Sequence, residues 1–239
     1  MYDIHCHILP GIDDGAQDME EALQMAEMAV EAGTKVIVAT PHCNVPHFYR
    51  NYKGEWYYKL MEKFRKALAE NDIKITILPG MEVFSTEELP SLICEDKIIM
   101  LNNGCSLLME FGFDDEPDYI SYIIQKIIDL KVKPVIAHVE RYECIQNNPD
   151  IIAEWKKMGC AIQVNKDSFL GLHGIYAEEV AYTLLENEFI SVLASDAHGV
   201  RYRTPNMMEI EQVLYAQYGE KKIHSLLYEN ARILCRSRQ

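Results

Sequence analysis

Short apolar runs alternate with longer helical patterns along the whole chain, without a linker, a low-complexity tract or an internal repeat. Such alternation is the signature of βα units joined into a parallel sheet or barrel. The first run, Asp3-Ile4-His5-Cys6-His7, suits a short strand with Ile4 and Cys6 on one face and His5 and His7 on the other. A helix follows over residues 18–32. Leu23, Ala26 and Val30 form its apolar stripe, Asp18, Glu20 and Glu21 suit its positive N-terminal end, and Gly33 stops it. Residues 35–40 give the second strand, with Pro41-His42 at its end, then a polar and aromatic loop over 43–54. The helix expected over 55–70 places Tyr57, Leu60, Met61, Phe64 and Leu68 on one face. A third strand over 73–78 runs into Pro79-Gly80-Met81-Glu82, and residues 86–101 read as irregular or helical. The fourth strand, 106–109, ends at Glu110. The helix over 119–130 turns Ile120, Ile123, Ile124 and Ile127 inward. The fifth strand, 133–137, ends at His138. A helix over 150–158 precedes the sixth strand, 160–164, and Asn165. A helix over 176–187 leads to the seventh strand, 189–194, and then to Ser195-Asp196-Ala197-His198. Two helices are expected from residue 206 on. At 239 residues the chain is expected to be one domain, residues 1–239, since barrels commonly reach this size as a single unit.

The polar residues that interrupt this pattern share a position. His5, His7, His42, Glu82, Glu110, His138, Asp196 and His198 all fall at the C-terminal ends of apolar runs. In a parallel barrel those ends converge on one face, where active sites sit. A carboxylate at the end of a buried strand is costly unless paired or metal-bound. Asp14 lies in the turn Leu9-Pro10-Gly11-Ile12-Asp13-Asp14-Gly15, from which it can fold back over His5 and His7. One histidine at a strand end is more often structural than a ligand; the joint pattern, over six of seven expected strands, points to metal. Nine candidate ligands exceed what one tetrahedral or octahedral ion uses, so two to three divalent ions are expected. Histidine and carboxylate without a Cys requirement suit Mn, Fe or Zn. Arg141 and Arg203 follow His138 and His198, and arginine binds phosphate in bidentate fashion.

Composition narrows the chemistry. The net charge of −14 counts against nucleic acid, which needs clustered Lys and Arg. It opposes any phosphorylated substrate as well, unless bound cations reverse the sign locally. No run is long enough to cross a bilayer, and the first strand begins at Tyr2, so neither membrane insertion nor a secretory signal is expected. Seven cysteines, an odd number with no Cys-x-x-Cys pair, argue for reduced thiols in a cytoplasmic protein, with Cys6 and Cys160 in the core. A cysteine-nucleophile phosphatase needs Cys and Arg with five residues between them; Cys43 and Arg50 have six, and no glycine. No Gly-x-Ser-x-Gly and no Gly-rich loop ending in Gly-Lys-Ser/Thr occurs.

Asp3-Ile4-His5-Cys6-His7, Leu9-Pro10-Gly11-Ile12-Asp13-Asp14-Gly15, Ala39-Thr40-Pro41-His42, Ile136-Ala137-His138-Val139-Glu140-Arg141-Tyr142 and Ala194-Ser195-Asp196-Ala197-His198 resemble the PHP (polymerase and histidinol phosphatase) superfamily. Within it they resemble the manganese-dependent tyrosine-protein phosphatases of bacterial capsule and exopolysaccharide operons. Gln163-x-Asn165 with Ser168, Gly171 and Gly174 adds to the match, which spans essentially the whole chain. Cys43, Val139 and Gly112 depart from residues common in the family; none is an expected ligand. The resemblance implies a distorted seven-stranded (β/α)7 barrel with three metals. One would take His5, His7, Glu82 and Asp196, a second Glu82, Glu110 and His138, and a third Asp14, His42 and His198. It implies metal-assisted hydrolysis without a protein nucleophile, Arg141 and Arg203 on the phosphate, and His42 or Asp196 assisting the leaving group. The implied substrate is a phosphotyrosine protein, the tyrosine-rich tail of a bacterial tyrosine autokinase. Phe48, Tyr49 and Tyr52 could wall an open cleft for its phenyl ring or pack against the neighbouring helix. A small-molecule phosphatase such as a histidinol phosphatase, and a protein whose metals only hold the barrel, remain as alternatives.

Overall fold

Apolar strands buried on both faces form the centre of the molecule. The computed structural model describes residues 1–237. In order, β1 (Tyr2–Cys6), α1 (Met19–Glu31), β2 (Val36–Ala39), β3 (His42–Cys43) and α2 (Glu55–Glu70) lead to β4 (Thr76–Pro79) and β5 (Glu82–Phe84). Next come α3 (Leu89–Cys94), β6 (Ser106–Glu110), α4 (Pro117–Asp129), β7 (Lys133–Ile136), α5 (Glu143–Asn147), α6 (Ile151–Met158) and β8 (Ala161–Asn165). The chain continues through α7 (Ile175–Glu186), β9 (Val192–Ala194), α8 (Met208–Tyr218), α9 (Glu220–His224) and α10 (Asn230–Leu234), a π turn at Ser225–Glu229 joining the last two.

All strand pairs are parallel, in the orders β1-β2-β4 and β3-β5-β6-β7-β8-β9. The sheet curls until its last strand meets its first. His7 N–H donates to Ala197 C=O at 2.9 Å, and Asp196 N–H to His5 C=O at 2.8 Å. Buried Asp3 strengthens this seam by accepting from the Ser195 N–H and hydroxyl. Successive strand residues alternate between two cores, as the pleat requires. Val38, Leu108, Val135, Ala161 and Val192 fill the inner one together with Ala231 and Leu234 of α10. Ile37, Leu107, Ile136, Ile162 and Leu193 meet the helices instead. On α4 the inward face is Ile120, Ile123, Ile124 and Ile127, as the periodicity predicts. On α1 it is Ala22, Met25, Ala26 and Ala29; Leu23 and Val30 are only partly buried, so the stripe lies beside the one expected.

The strand count differs from the expected seven. Nine segments form because the second and third runs each break, at Thr40-Pro41 and Gly80-Met81, where Pro41 has no N–H to give a ladder. The Tyr57 hydroxyl serves both breaks: it lies 3.3 Å from Ala39 C=O and 3.0 Å from Gly80 C=O, and accepts from Gly80 N–H. Glu82 therefore opens β5 rather than ending the third strand. The ladder is also irregular between Asp3 and Cys6, so Ile4 packs in the inner core and Cys6 in the outer one, not on a shared face. No helix among the described residues is long and apolar enough to cross a membrane.

Candidate metal centre

The end of β1 delivers His5 and His7, and the turn after it folds back onto them. Ala16 N–H donates to His7 C=O at 3.0 Å. Gly15 is required there, because a Cβ would stand 2.1 Å from that same oxygen. The turn brings Asp13 Oδ2 to 2.8 Å from His7 Nδ1 and 2.9 Å from the His42 N–H. A carboxylate on one imidazole nitrogen fixes the tautomer and directs the other nitrogen outward. Asp13 holds His7 Nε2 toward the centre in this way, and Asp14, half-exposed, overhangs it.

Glu82 is the hub. Its Oε1 lies 3.2 Å from His5 Nε2 and 3.0 Å from His138 Nε2. Its Oε2 lies 3.2 Å from His7 Nε2 and 3.0 Å from His42 Nδ1. Ligating atoms gather within 4.8 Å of one another in three groups: His7, Asp14, His42 and His198; His5, His7 and Asp196; His42, Glu82 and Glu110. The grouping departs from the ligand sets the resemblance implied. His42 presents Nδ1 to Glu82 and Nε2 to Asp14, so it belongs to two groups. His138 stands outside the third group, 3.6 Å from Glu110.

Five buried atoms of the candidate ligands make no hydrogen bond: His42 Nδ1, Glu82 Oε2, His138 Nδ1, Asp196 Oδ1 and His198 Nε2, although Glu82 Oε2, His42 Nδ1 and Asp196 Oδ1 lie within ion-pair distance of neighbours. Buried polar atoms without partners are rare because each forfeits its hydration. The set of imidazole nitrogens and carboxylate oxygens left open suits divalent cations. The groups also perturb one another. Burial disfavours charge on His5, yet Glu82 and Asp196 outweigh it and raise its pKa to about 9. His42 is lifted to about 10 against the same opposition, chiefly by Glu82. Burial and then Glu82 push Glu110 up to about 8. Glu82 itself is held well below the carboxylate range, burial being outweighed by His5 and His42.

Three non-glycine residues here take left-handed backbone: His138 (φ 32°), Asp196 (φ 51°) and Arg203 (φ 48°). Such conformations cluster at functional sites, where the surroundings over-determine them. For His138 the restraint is Gln163, whose Oε1 accepts from the His138 N–H and from His5 Nδ1, both at 3.0 Å. Gln163 Nε2 donates to Asn165 Oδ1, and Asn165 Nδ2 donates to Asp196 Oδ2, each at 2.7 Å. Asp13, Gln163 and Asn165 stand in segments that carry the family resemblance, but none of the three was expected to hold a ligand in place. Two polar residues at alternate positions of a strand buried throughout were the available signal for the last two.

Arg203 Nη2 lies 2.5 Å from Asp196 Oδ2, and Arg141 Nη1 3.8 Å from it. Arg141 also sits over the Phe113 ring, 4.4 Å from its centroid. Of the loop aromatics, Tyr49 stacks parallel to His42 with centroids 5.7 Å apart, and Phe48 is exposed. Tyr52 turns aside to donate to Asn44. Cys43 is buried, its thiol pushed up to about 12 by burial, and it donates to Arg50 C=O.

A curled parallel sheet with histidines and carboxylates gathered at its strand ends defines a metal-binding α/β protein. The chain belongs to the capsular polysaccharide synthesis family CpsB/CapC, which it matches over residues 1–236. It is 35% identical to the tyrosine-protein phosphatase YwqE of Bacillus subtilis over 99% of this chain and 92% of that one. It is 30% identical to the tyrosine-protein phosphatase CpsB of Streptococcus pneumoniae over 97% of each. A crystal structure from work on YwqE and CpsB, described as metal-dependent tyrosine phosphatases, superposes with a TM-score of 0.92 at 34% identity, covering 100% of this chain and 96% of that one. Histidinol phosphate phosphatase from Lactococcus lactis, at 15% identity and a TM-score of 0.59 over 95% and 94%, shares the fold alone.

Proposed function

We propose that this protein is a metal-dependent protein-tyrosine phosphatase acting on phosphotyrosine in a flexible protein segment. One observation carries the reading: buried ligand atoms that make no hydrogen bond converge beside two guanidinium groups. The names of its relatives favour phosphotyrosine over histidinol phosphate. We assign His5, His7, Glu82 and Asp196 to one ion, Glu82, Glu110 and His138 to a second, and Asp14, His42 and His198 to a third. Two to three ions would be held so, manganese foremost and iron or zinc as alternatives. Taking β2 with β3 and β4 with β5 as two broken strands, we read the sheet as a distorted seven-stranded barrel. We place the enzyme in the cytoplasm, acting on the tail of a bacterial tyrosine autokinase that governs capsule or exopolysaccharide synthesis.

Bound divalent ions supply Lewis acidity and lower the pKa of water there. The chain's own residues do the rest. Arg141 and Arg203 grip the phosphoryl oxygens as charge redistributes, the phosphate competing with Asp196 Oδ2 for both side chains. Phe113 holds the Arg141 plane from beneath. Asp196 Oδ2 already accepts from Asn165 and Arg203, and His42 is committed through both ring nitrogens to the ligand cluster, so neither side chain is free as a general acid and the leaving oxygen takes its proton from solvent. A phenolate, with a pKa of about 10, needs little such help. Tyr49, parallel to His42, walls the side from which the phenyl ring would enter.

The test is hydrolysis by the metal-reconstituted protein. Higher kcat/KM is expected for a phosphotyrosine peptide than for a phosphoserine peptide or histidinol phosphate. Histidinol phosphate as the better substrate by an order of magnitude would instead establish the small-molecule reading.

A further inference from the structure

Arg141 and Arg203 also line a cavity of about 460 Å³, which therefore adjoins the candidate metal centre. Its other walls include Lys166, Arg201, Leu172 and Tyr202, with the carboxylates of Asp167 and Glu209. The charges there are unequally committed. Lys166 is buried and paired with Asp167, and Arg141 and Arg203 lean on Asp196. Arg201 is exposed and has no ion-pair partner among the described residues; Glu209, on the same cavity, does not reach it.

The loop that presents Arg201 is well defined. His198 N–H donates to Arg203 C=O at 2.8 Å, closing a short loop with Arg201 and Tyr202 projecting from it, Tyr202 being 85% exposed. Leu172 lines the cavity at 68% exposure, and Ile175 and Tyr176 just beyond it are exposed to a similar degree. Grouped apolar exposure beside a cleft marks a contact surface. In a chain of net charge −14, an anionic ligand is repelled over most of the surface and attracted where cations outnumber carboxylates.

We propose that this cavity is a substrate subsite for a carboxylate side chain flanking the phosphotyrosine, with Arg201 as its specificity-determining residue. The proposal rests on the phosphotyrosine reading above. A carboxylate within three residues of the phosphotyrosine lies inside the reach of an extended peptide, roughly 10 Å. Tyr202 and Leu172 would cover the aliphatic part of that side chain.

The experiment uses the metal-reconstituted full chain and phosphotyrosine peptides that differ only in Glu, Gln or Lys at positions within three residues on either side. The wild type is expected to prefer Glu over Gln by about threefold to fivefold in kcat/KM, the size of one partly exposed charge pair, expressed mainly in KM. The preference should shrink at high salt. It should vanish in Arg201→Ala, survive in Arg201→Lys, and turn toward Lys peptides in Arg201→Glu. Hydrolysis of p-nitrophenyl phosphate should stay unchanged in all three variants. Wild-type indifference to the flanking residue, or a preference retained in Arg201→Ala, overturns the subsite and leaves the phosphatase assignment standing. Failure of the wild type to hydrolyse any phosphotyrosine compound overturns that assignment instead.

Discussion

At the scale of single residues, Glu82 shows how a charge becomes tolerable in the interior. Four imidazoles surround its two oxygens, and burial alone would have kept it neutral. The counterpart is that His5 and His42, with pKa values of about 9 and about 10, carry protons at pH 7 in the metal-free chain. Both values lie above the ordinary 6.5, so the stability these pairs contribute is complete below pH 6.5 and lost as pH rises through 9 to 10. Imidazole must be neutral to bind metal. Glu110, raised to about 8, is mostly protonated at pH 7 as well, so loading manganese should release about three protons per chain, one from each ring and one from this carboxyl. Calorimetry in buffers of different ionisation enthalpy counts them, and an absence of release would show these groups are deprotonated beforehand or do not bind. Arg203 makes a separate prediction, because its 2.5 Å contact to Asp196 leaves other donors free for phosphate. Arg203→Ala should lower kcat by ~100-fold, the loss of one oxyanion contact, with metal content intact by elemental analysis. Near-wild-type kcat would remove Arg203 from the reaction.

At the scale of elements, β8 does more than fill the sheet. It turns Gln163 and Asn165 toward the centre, where one amide oxygen restrains both His5 and the left-handed turn at His138. Gln163→Leu keeps the volume and removes that acceptor. The partners that orient a ligand are worth 10- to 100-fold in affinity in general, and a loss of about that size is expected here in competition with a chromophoric chelator. Unaltered affinity would reduce Gln163 to a packing role. The β1 turn works on the same logic: Gly15 lets the chain pass against His7 C=O, and that passage sets Asp13 on His7 Nδ1.

At the scale of the whole molecule, a −14 chain that handles a phosphate dianion depends on cations at one end of its sheet. Chelation should abolish phosphatase activity and lower Tm, since an ion bound only by the folded state stabilises it by mass action. Thiol alkylation should leave activity in place: Cys43, beside the centre, is buried with its thiol raised to about 12, and the exposed Cys94 and Cys105 lie outside it. The opposite pair of results, inhibition by alkylation and resistance to chelation, would return the chemistry to a cysteine.

The order of βα units and the inward face of α4 follow from the sequence by itself, because the periods of helix and strand are local properties of the chain. The same locality made the nine candidate ligands visible: eight stand where an apolar run gives way to a polar residue, and Asp14 stands in the turn after the first run. Tertiary structure alone decided how they meet. Glu82 became the hub because a broken strand set it at the start of β5, a break that depends on Tyr57 arriving from α2. His5 is oriented by Gln163, 158 positions away, and Asp196 by Asn165, 31 positions away. No local pattern records such a partner, since hydrogen-bond geometry arises only once the curled sheet has brought its last strand back against its first.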